Sequence, residues 1–152
     1  MTGVQTCALP IYRHLLHGDA HWKNVMDSKG ALMIIDMDTL CTGDPVFEFA
    51  GLYMTYVAFE QDDPGNTVQF HAIDAETARS IFYCTLNSYL GDPGEDALRA
   101  AEDRIRVPGL LIYLYNLINL GLDKENKRIP RAAERMKSAV LRADSLALRD
   151  AD

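Results

Sequence analysis

The chain has 152 residues, of which 48% are hydrophobic and 24% charged, and its formal net charge is −7. These values are typical of one globular domain with a core of its own, and no stretch has the length of a transmembrane helix. An acidic chain without clustered Lys and Arg is not expected to bind nucleic acid, whereas a cationic small molecule is compatible with its charge. Cys41 and Cys84 lack the spacing of metal ligands, so we expect free thiols in a reducing cytoplasm. Since no stretch is long enough to span a membrane, we expect no membrane partner.

The start of the chain differs in character from the rest. Residues 1–11, MTGVQTCALPI, contain no charged side chain, and their apolar run is too short for a secretory signal and is interrupted by Pro10. They resemble the translated sequence of a common sequencing-library adapter. We therefore expect residues 1–11 to be a non-native segment and residues 12–152 to form the domain.

Residues 15–26 contain the motif that carries the most chemical information. It reads H-G-D-A-H-W-K-N from position 17, so that Asn24 follows Asp19 by five residues, and an I-D-M-D motif places Asp36 twelve residues further on. In protein kinases an Asp and an Asn at this spacing form the catalytic loop, and a later Asp holds the metal ions that bridge the phosphates. Gly18 stands where the protein-kinase loop has arginine, which argues against a protein kinase.

The segment between the two motifs is predicted to be a β-hairpin. Val25 and Met26 begin a short strand, residues 27–30 have turn chemistry, and residues 31–35 are an apolar, partly β-branched run. The hairpin would carry Asn24 just before its first strand and Asp36 just after its second. Both side chains are therefore expected at the same end of the hairpin, which is the arrangement that a shared metal ion needs.

Together the two motifs resemble the aminoglycoside phosphotransferase and choline kinase family, whose catalytic segment reads roughly H-G-D-x-H-x-x-N followed by I-D-x-D. The G-D-P turn at residues 43–45 and the V-F-E-F-A run after it also look like the next block of that family, with Glu48 where its members more often have Asp. The resemblance covers residues 15–54 and identifies the chemistry rather than the acceptor substrate.

The resemblance implies transfer of the γ-phosphoryl group of ATP to the hydroxyl group of a small molecule. Asp19 would be the catalytic residue, because a carboxylate within hydrogen-bond reach must accept or orient the hydroxyl proton. Asn24 and Asp36 would hold Mg²⁺, since amide and carboxylate oxygens are the hard donors that suit this ion. Asn24, Asp36 and His21 are assigned to the nucleotide site, with a purely structural role as the alternative for His21.

The resemblance also implies the fold: a mainly α protein with a small β-hairpin, the C-terminal helical lobe of a protein-kinase-like fold whose N-lobe is missing. Residues 15–26 would be the catalytic loop, residues 31–45 the metal-binding segment and residues 45–150 the helical subdomain. Neither glycine-rich phosphate-loop motif occurs in the sequence, so we expect an incomplete chain that is inactive or nearly so by itself. The alternative is a non-catalytic binding or regulatory protein that keeps the kinase shape.

The spacing of apolar residues after the hairpin predicts a series of helices. Their expected ranges are 44–59, 68–71, 74–90, then 95–106 and 109–122 as one kinked helix or two, and finally 130–148. The inner face of the first helix is predicted to carry Phe47, Ala50, Gly51 and Met54. The inner face of the helix over 74–90 is predicted to carry Ile81, Cys84, Thr85, Ser88 and Tyr89.

Overall fold

The computed structural model describes residues 14–125 and 127–143, so the adapter-like segment 1–11 lies outside the described residues. Within the described ranges the chain is mostly helical, and its strands are short and antiparallel. The predicted mainly α character with a small β-hairpin is therefore confirmed. No helix in the described part of the chain is both long and apolar enough to span a membrane.

The described strands form two separate antiparallel pairs. They are β1 (His14–Leu16), β2 (Val25–Ser28), β3 (Ala31–Ile34) and β4 (Cys41–Gly43). β1 pairs with β4, and β2 pairs with β3. The segment from β1 to β2 and the segment from β3 to β4 therefore connect the same two sheets, which brings the two sequence motifs into one region.

The β2–β3 hairpin has the register that the turn residues predict. Val25 lies opposite Ile34 and Ser28 opposite Ala31. Lys29 and Gly30 both have positive φ, +55° and +85°, as two-residue hairpin turns require. All side chains of both strands are exposed, so the hairpin projects from the helical body.

The helices follow the strands in chain order. They are α1 (Val46–Tyr53), a π-helical stretch (Met54–Ala58), α2 (Phe59–Asp62), α3 (Asn66–His71), α4 (Ala75–Tyr89), α5 (Glu95–Asn119) and α6 (Arg128–Arg142). α1, the π-helical stretch and α2 follow one another without a break. The predicted first helix therefore exists, but it runs from Val46 to Asp62 and contains a widened turn that no sequence signal indicated.

Of the two alternatives predicted for residues 95–122, the structure has the single helix. Pro108 lies inside α5 without ending it, and the helix runs from Glu95 to Asn119. A proline removes one backbone donor, and the contacts of α5 with α1 and α6 on its two sides offset that loss. The last predicted helix begins at Arg128, and residues 144–148 of its predicted range lie outside the described residues.

The predicted inner faces of two helices are correct only in part. In the first helix, Ala50 is buried as predicted and Met54 packs against the core, but Phe47 is 58% exposed and Phe49 is buried instead. In α4 the buried residues are Ala78, Phe82 and Leu86, which recur every four residues, while Cys84 is exposed. The neighbouring helices select this face because it offers the largest apolar side chains at that spacing.

The core lies where α5 crosses α1, and Gly109 permits the close approach of the two helices. A Cβ atom at Gly109 would lie 2.7 Å from Cδ1 of Tyr53 and 3.2 Å from the carbonyl oxygen of Ala50. Tyr53 is fully enclosed by the same cluster of buried residues. The helix pair can therefore pack at this distance only with glycine at position 109.

Alanine substitutions at two helical glycines are expected to have opposite effects on the free energy of unfolding. Gly109→Ala should lower it by about 1–3 kcal/mol, because overpacking outweighs the gain in helix propensity. Gly51→Ala should raise it by about 0.5–1 kcal/mol, since no atom lies within 4 Å of a Cβ built there. Urea denaturation of both variants checks this, and an equal gain at the two positions would contradict the close packing.

Candidate active site

His17 ties the two motif segments together. Its Nδ1 accepts a hydrogen bond from the backbone N–H of Asp19 at 3.3 Å, so Nε2 carries the hydrogen that is donated to the carbonyl of Ile35 at 2.9 Å. The hydroxyl of Thr39 donates to the His17 carbonyl at 2.6 Å. His17 therefore connects the Asp19 loop to the segment that carries Asp36.

Gly18 is required by the backbone of the loop. Its φ is +82°, and a Cβ atom at this position would lie 2.8 Å from the carbonyl oxygen of Thr39. A side chain here would be strained by its backbone conformation and would collide with a main-chain atom. The protein-kinase arginine cannot occupy this position, which gives the physical reason for the glycine of the motif.

Glu48 holds the backbone on both sides of Asp19, a role that the sequence analysis did not assign. Its Oε2 accepts from the N–H of Gly18 at 3.0 Å, and its Oε1 accepts from the N–H of Ala20 at 3.3 Å. Glu48 lies in the first turn of α1, so the N-terminal end of this helix holds the Asp19 loop in place. The sequence signal for this role is the acidic residue of the V-F-E-F-A block, which is Glu48.

Glu48→Gln is expected to lower the free energy of unfolding by about 1–2 kcal/mol. The amide retains one acceptor oxygen, but its NH₂ group faces a backbone N–H and leaves that donor without a partner. Thermal or urea denaturation measures the loss. Glu95→Gln is the matched control, because Glu95 forms an exposed ion pair with Arg99 and should change stability by less than about 0.5 kcal/mol. Equal effects of the two substitutions would contradict the bracing role.

Tyr56 fastens the end of the same loop to the helical body. Its hydroxyl oxygen accepts from the N–H of Trp22 at 2.8 Å, and the side chain is buried in the π-helical stretch. Burial raises the pKa of Tyr56, so the phenol stays neutral. π-helical turns are frequent at functional sites, and this one directs Tyr56 to the Asp19 loop.

Asp19 and Asn24 lie beside each other in the loop. The side-chain amide of Asn24 donates to the Asp19 carbonyl at 2.9 Å and lies 3.4 Å from its carboxylate. Asn24 is buried, whereas the Asp19 side chain is 56% exposed. The backbone carbonyl of Asn24 accepts a hydrogen bond from the backbone N–H of Ile35, and this bond fixes the position of the neighbouring Asp36. Oδ1 of Asn24 receives no hydrogen bond from the described residues.

Asp36 stands in a concentration of negative charge. Its φ of +66° is a left-handed conformation that Asp and Asn adopt more readily than other side chains. A hydrogen bond with Asp38 and the charge of Asp38 raise the pKa of Asp36, with smaller contributions from desolvation and from Asp19. The same hydrogen bond lowers the pKa of Asp38. Carboxylates that oppose one another's ionisation are an arrangement that a bound cation would relieve.

The structure places three of the predicted site residues around one end of the hairpin and the fourth beside it. Asn24 and Asp36 flank the Val25–Ile34 pair, and the charge of Asp19 acts on Asp36. His21 lies on the other side of Asp19, with Nε2 3.6 Å from Oδ2 of Asp19. Its assignment to the nucleotide site stays a prediction.

Asn24 and Asp36 offer oxygen donors of the kind that Mg²⁺ prefers. The Asn24 amide nitrogen is held by Asp19, so Oδ1 is the atom left for a ligand. In the described part of the chain, no three or more His, Cys, Asp or Glu side chains converge into a metal cluster. The predicted pair contains one carboxylate and one amide, which suits an ion that completes its shell with water and phosphate oxygens.

A cleft of about 970 Å³ opens beside Asp19 and His21. Thr55 and Phe59 line it from the continuous helix, and His71 lines it from the end of α3. The rings of His21 and His71 lie 5.7 Å apart in an edge-to-face arrangement. Burial lowers the pKa of His71, and the charges of His21 and Lys23 add to the effect. The cleft is large enough for a small molecule to bind next to Asp19.

The sequence model of the phosphotransferase enzyme family matches residues 8–82. This match contains the Asp19 loop, the hairpin, the Asp36 segment, α1 to α3 and the first half of α4. The chain belongs to this family of phosphotransferases. No curated protein and no solved structure matches the chain.

Proposed function

We propose that the chain is the catalytic lobe of an ATP-dependent small-molecule phosphotransferase, which transfers the γ-phosphoryl group to a hydroxyl acceptor. The observation that carries the proposal is the convergence of Asp19, Asn24 and Asp36 at one end of the hairpin, next to a cleft. A non-catalytic binding protein has no physical need for these three side chains together. The proposed partners of the chain are the acceptor and the nucleotide. The proposed location of the protein is the cytoplasm.

In this proposal Asp19 receives the proton of the acceptor hydroxyl. Its carboxylate is exposed at the cleft, while its backbone is fixed through His17 and by the bonds of Glu48 to the residues on either side. A fixed backbone with an accessible carboxylate is what a general base needs, because catalysis depends on hydrogen-bond geometry to the reacting group. The Asn24 amide 3.4 Å away helps to orient the carboxylate.

Asn24 and Asp36 are proposed to hold Mg²⁺ and, through it, the nucleotide phosphates. Bound Mg²⁺ would supply neutralisation of the charge on the phosphate oxygens. The chain's contribution is the fixed orientation of the two donors: the Asn24 amide is tied to Asp19, and the Asp36 backbone follows the bond between Ile35 and Asn24. Asp38 contributes negative charge beside them.

We also propose that turnover requires a second lobe that covers the nucleotide. The exposed apolar side chains of the hairpin support this, with Leu32 77% and Ile34 56% exposed. Apolar surface of this kind is usually covered by another part of a protein. A lobe that covered the hairpin would reach the end where Ile34 lies opposite Val25, next to the proposed phosphate site.

The proposal is tested by following transfer of labelled γ-phosphate from ATP to a mixture of small hydroxyl compounds. The assay uses the chain alone and the chain joined to a nucleotide-covering lobe of the same family. We expect Mg²⁺-dependent transfer in the joined form and little or none in the chain alone. Absence of transfer in a folded joined protein that binds Mg²⁺ and ATP would favour the non-catalytic alternative.

A further inference from the structure

The cleft beside Asp19 has carboxylates in its lining, but most of them are already paired. Asp62 accepts a hydrogen bond from Arg135 and is almost fully buried. Asp63 forms an ion pair with Arg128 at 3.2 Å. These two acidic side chains are therefore neutralised by cations of α6 and offer little to a positively charged ligand.

The acidic residues on the opposite side of the cleft are also engaged. Asp123 is buried and accepts hydrogen bonds from the backbone N–H groups at the start of α6, those of residues 127, 128 and 129. Glu125 pairs with Lys127 at 2.9 Å. Within the described ranges, Asp19 and Asp123 are thus the lining carboxylates without a Lys or Arg ion pair, and of these two only Asp19 is exposed to a ligand.

Three cations of the cleft, in contrast, lack a carboxylate partner among the described residues: Lys124, Arg131 and Lys23, whose Nζ donates to the backbone carbonyl of Phe70. Lys124 and Arg131 line the cleft and are exposed, and neither forms an ion pair with any described residue. Arg131 donates from Nε to the Lys127 carbonyl at 3.2 Å, which leaves both terminal nitrogens of its guanidinium group for a ligand. Such a group can bind a carboxylate or phosphate with two parallel hydrogen bonds.

We propose that the acceptor is a hydroxy compound that carries a carboxylate or phosphate group. Its hydroxyl would lie at Asp19 and its anionic group at Lys124 and Arg131; this inference rests on the proposed function. A polycationic acceptor would meet one accessible carboxylate without a Lys or Arg partner and three cations without a carboxylate partner in the same cleft. The charges that surround the cleft therefore oppose a cationic acceptor, although the net charge of the whole chain is −7.

The inference is tested by binding three matched probes to the full chain: glycerol 3-phosphate, glycerol and choline. The ring signals of His21 and His71 report binding by NMR, because both histidines line the cleft and the chain contains only four. We expect glycerol 3-phosphate to shift both rings, and the affinity to fall as salt is added. Glycerol and choline should bind more weakly by about tenfold or more.

Variants with one charge removed identify the responsible side chains. Arg131→Gln and Lys124→Gln should each weaken glycerol 3-phosphate binding by about 10- to 100-fold. Lys137→Gln is the matched control, because Lys137 is an exposed cation of α6, the helix of Arg131, and does not line the cleft. The affinity of this variant for glycerol 3-phosphate should equal that of the parent. Both tested residues are exposed, so the variants should fold like the parent.

Three results would overturn the inference: choline binding at least as tightly as glycerol 3-phosphate, no shift of either ring with any probe, or unchanged affinity in both cleft variants. Each of these leaves phosphoryl transfer by Asp19 untouched. Conversely, anion binding at Arg131 without any transfer in a two-lobe protein would count against the proposed function alone. The two proposals therefore fail on different measurements.

Discussion

Asp19→Asn is expected to reduce phosphoryl transfer by about 10²- to 10⁴-fold, the range that a positioned general base contributes. Asparagine has nearly the same shape, so the bonds of the Asp19 backbone to His17 and Asn24 should persist. The variant loses the ability to accept the hydroxyl proton. Steady-state kinetics should show the loss in kcat, with nucleotide affinity close to that of the parent.

Asp96→Asn is the control for this substitution. Asp96 is exposed in the first turn of α5 and lies outside the cleft lining, so its variant should transfer phosphate at the parental rate. Denaturation curves establish that both variants are folded. Unchanged turnover in Asp19→Asn, in a preparation where the parent is active, would remove Asp19 from the role of base.

Asp36→Asn is expected to weaken Mg²⁺-dependent nucleotide binding by about 100-fold or more, since even indirect partners of a metal site contribute 10- to 100-fold. Asparagine is preferred to alanine here because the φ of +66° is better tolerated by Asn. The substitution therefore removes the negative charge without forcing the backbone to change. Calorimetric titration with ATP, in the presence and absence of Mg²⁺, measures the effect.

Asp27→Asn is the matched control, because Asp27 lies in the same hairpin at the opposite end. Its carboxylate accepts from the Gly30 N–H at 2.7 Å, and the asparagine oxygen can make the same bond. Nucleotide affinity should be unchanged in this variant. If Asp36→Asn also retained parental Mg²⁺-dependent binding, the metal would have to be held by other residues.

The part of the site that could be predicted from sequence is the part that depends on local geometry. Turn residues fix the hairpin register, and an antiparallel hairpin necessarily brings Asn24 and Asp36 to one end. The helical content followed from apolar spacing in the same way. These features involve residues that are close in the chain, so a short window of sequence contains the information.

The part that could not be predicted depends on contacts between distant residues. Glu48 reaches the Asp19 loop from α1, and Tyr56 reaches it from a π-helical turn. The paired state of Asp62 and Asp63 depends on α6, more than 60 residues later in the chain. A local pattern does not contain the contacts between distant helices, which also explains why the inner faces of the first helix and of α4 were predicted only in part.

The most direct test of the proposed phosphate site is paramagnetic broadening by Mn²⁺, a substitute for Mg²⁺, added with ATP to the isotopically labelled chain. We expect the side-chain amide signals of Asn24 and the backbone amide of Asp36 to broaden at the lowest Mn²⁺ concentration, and this effect to be lost in Asp36→Asn. First broadening at another acidic group, such as Asp62 and Asp63, or equal broadening in the variant would contradict a metal site at the end of the hairpin.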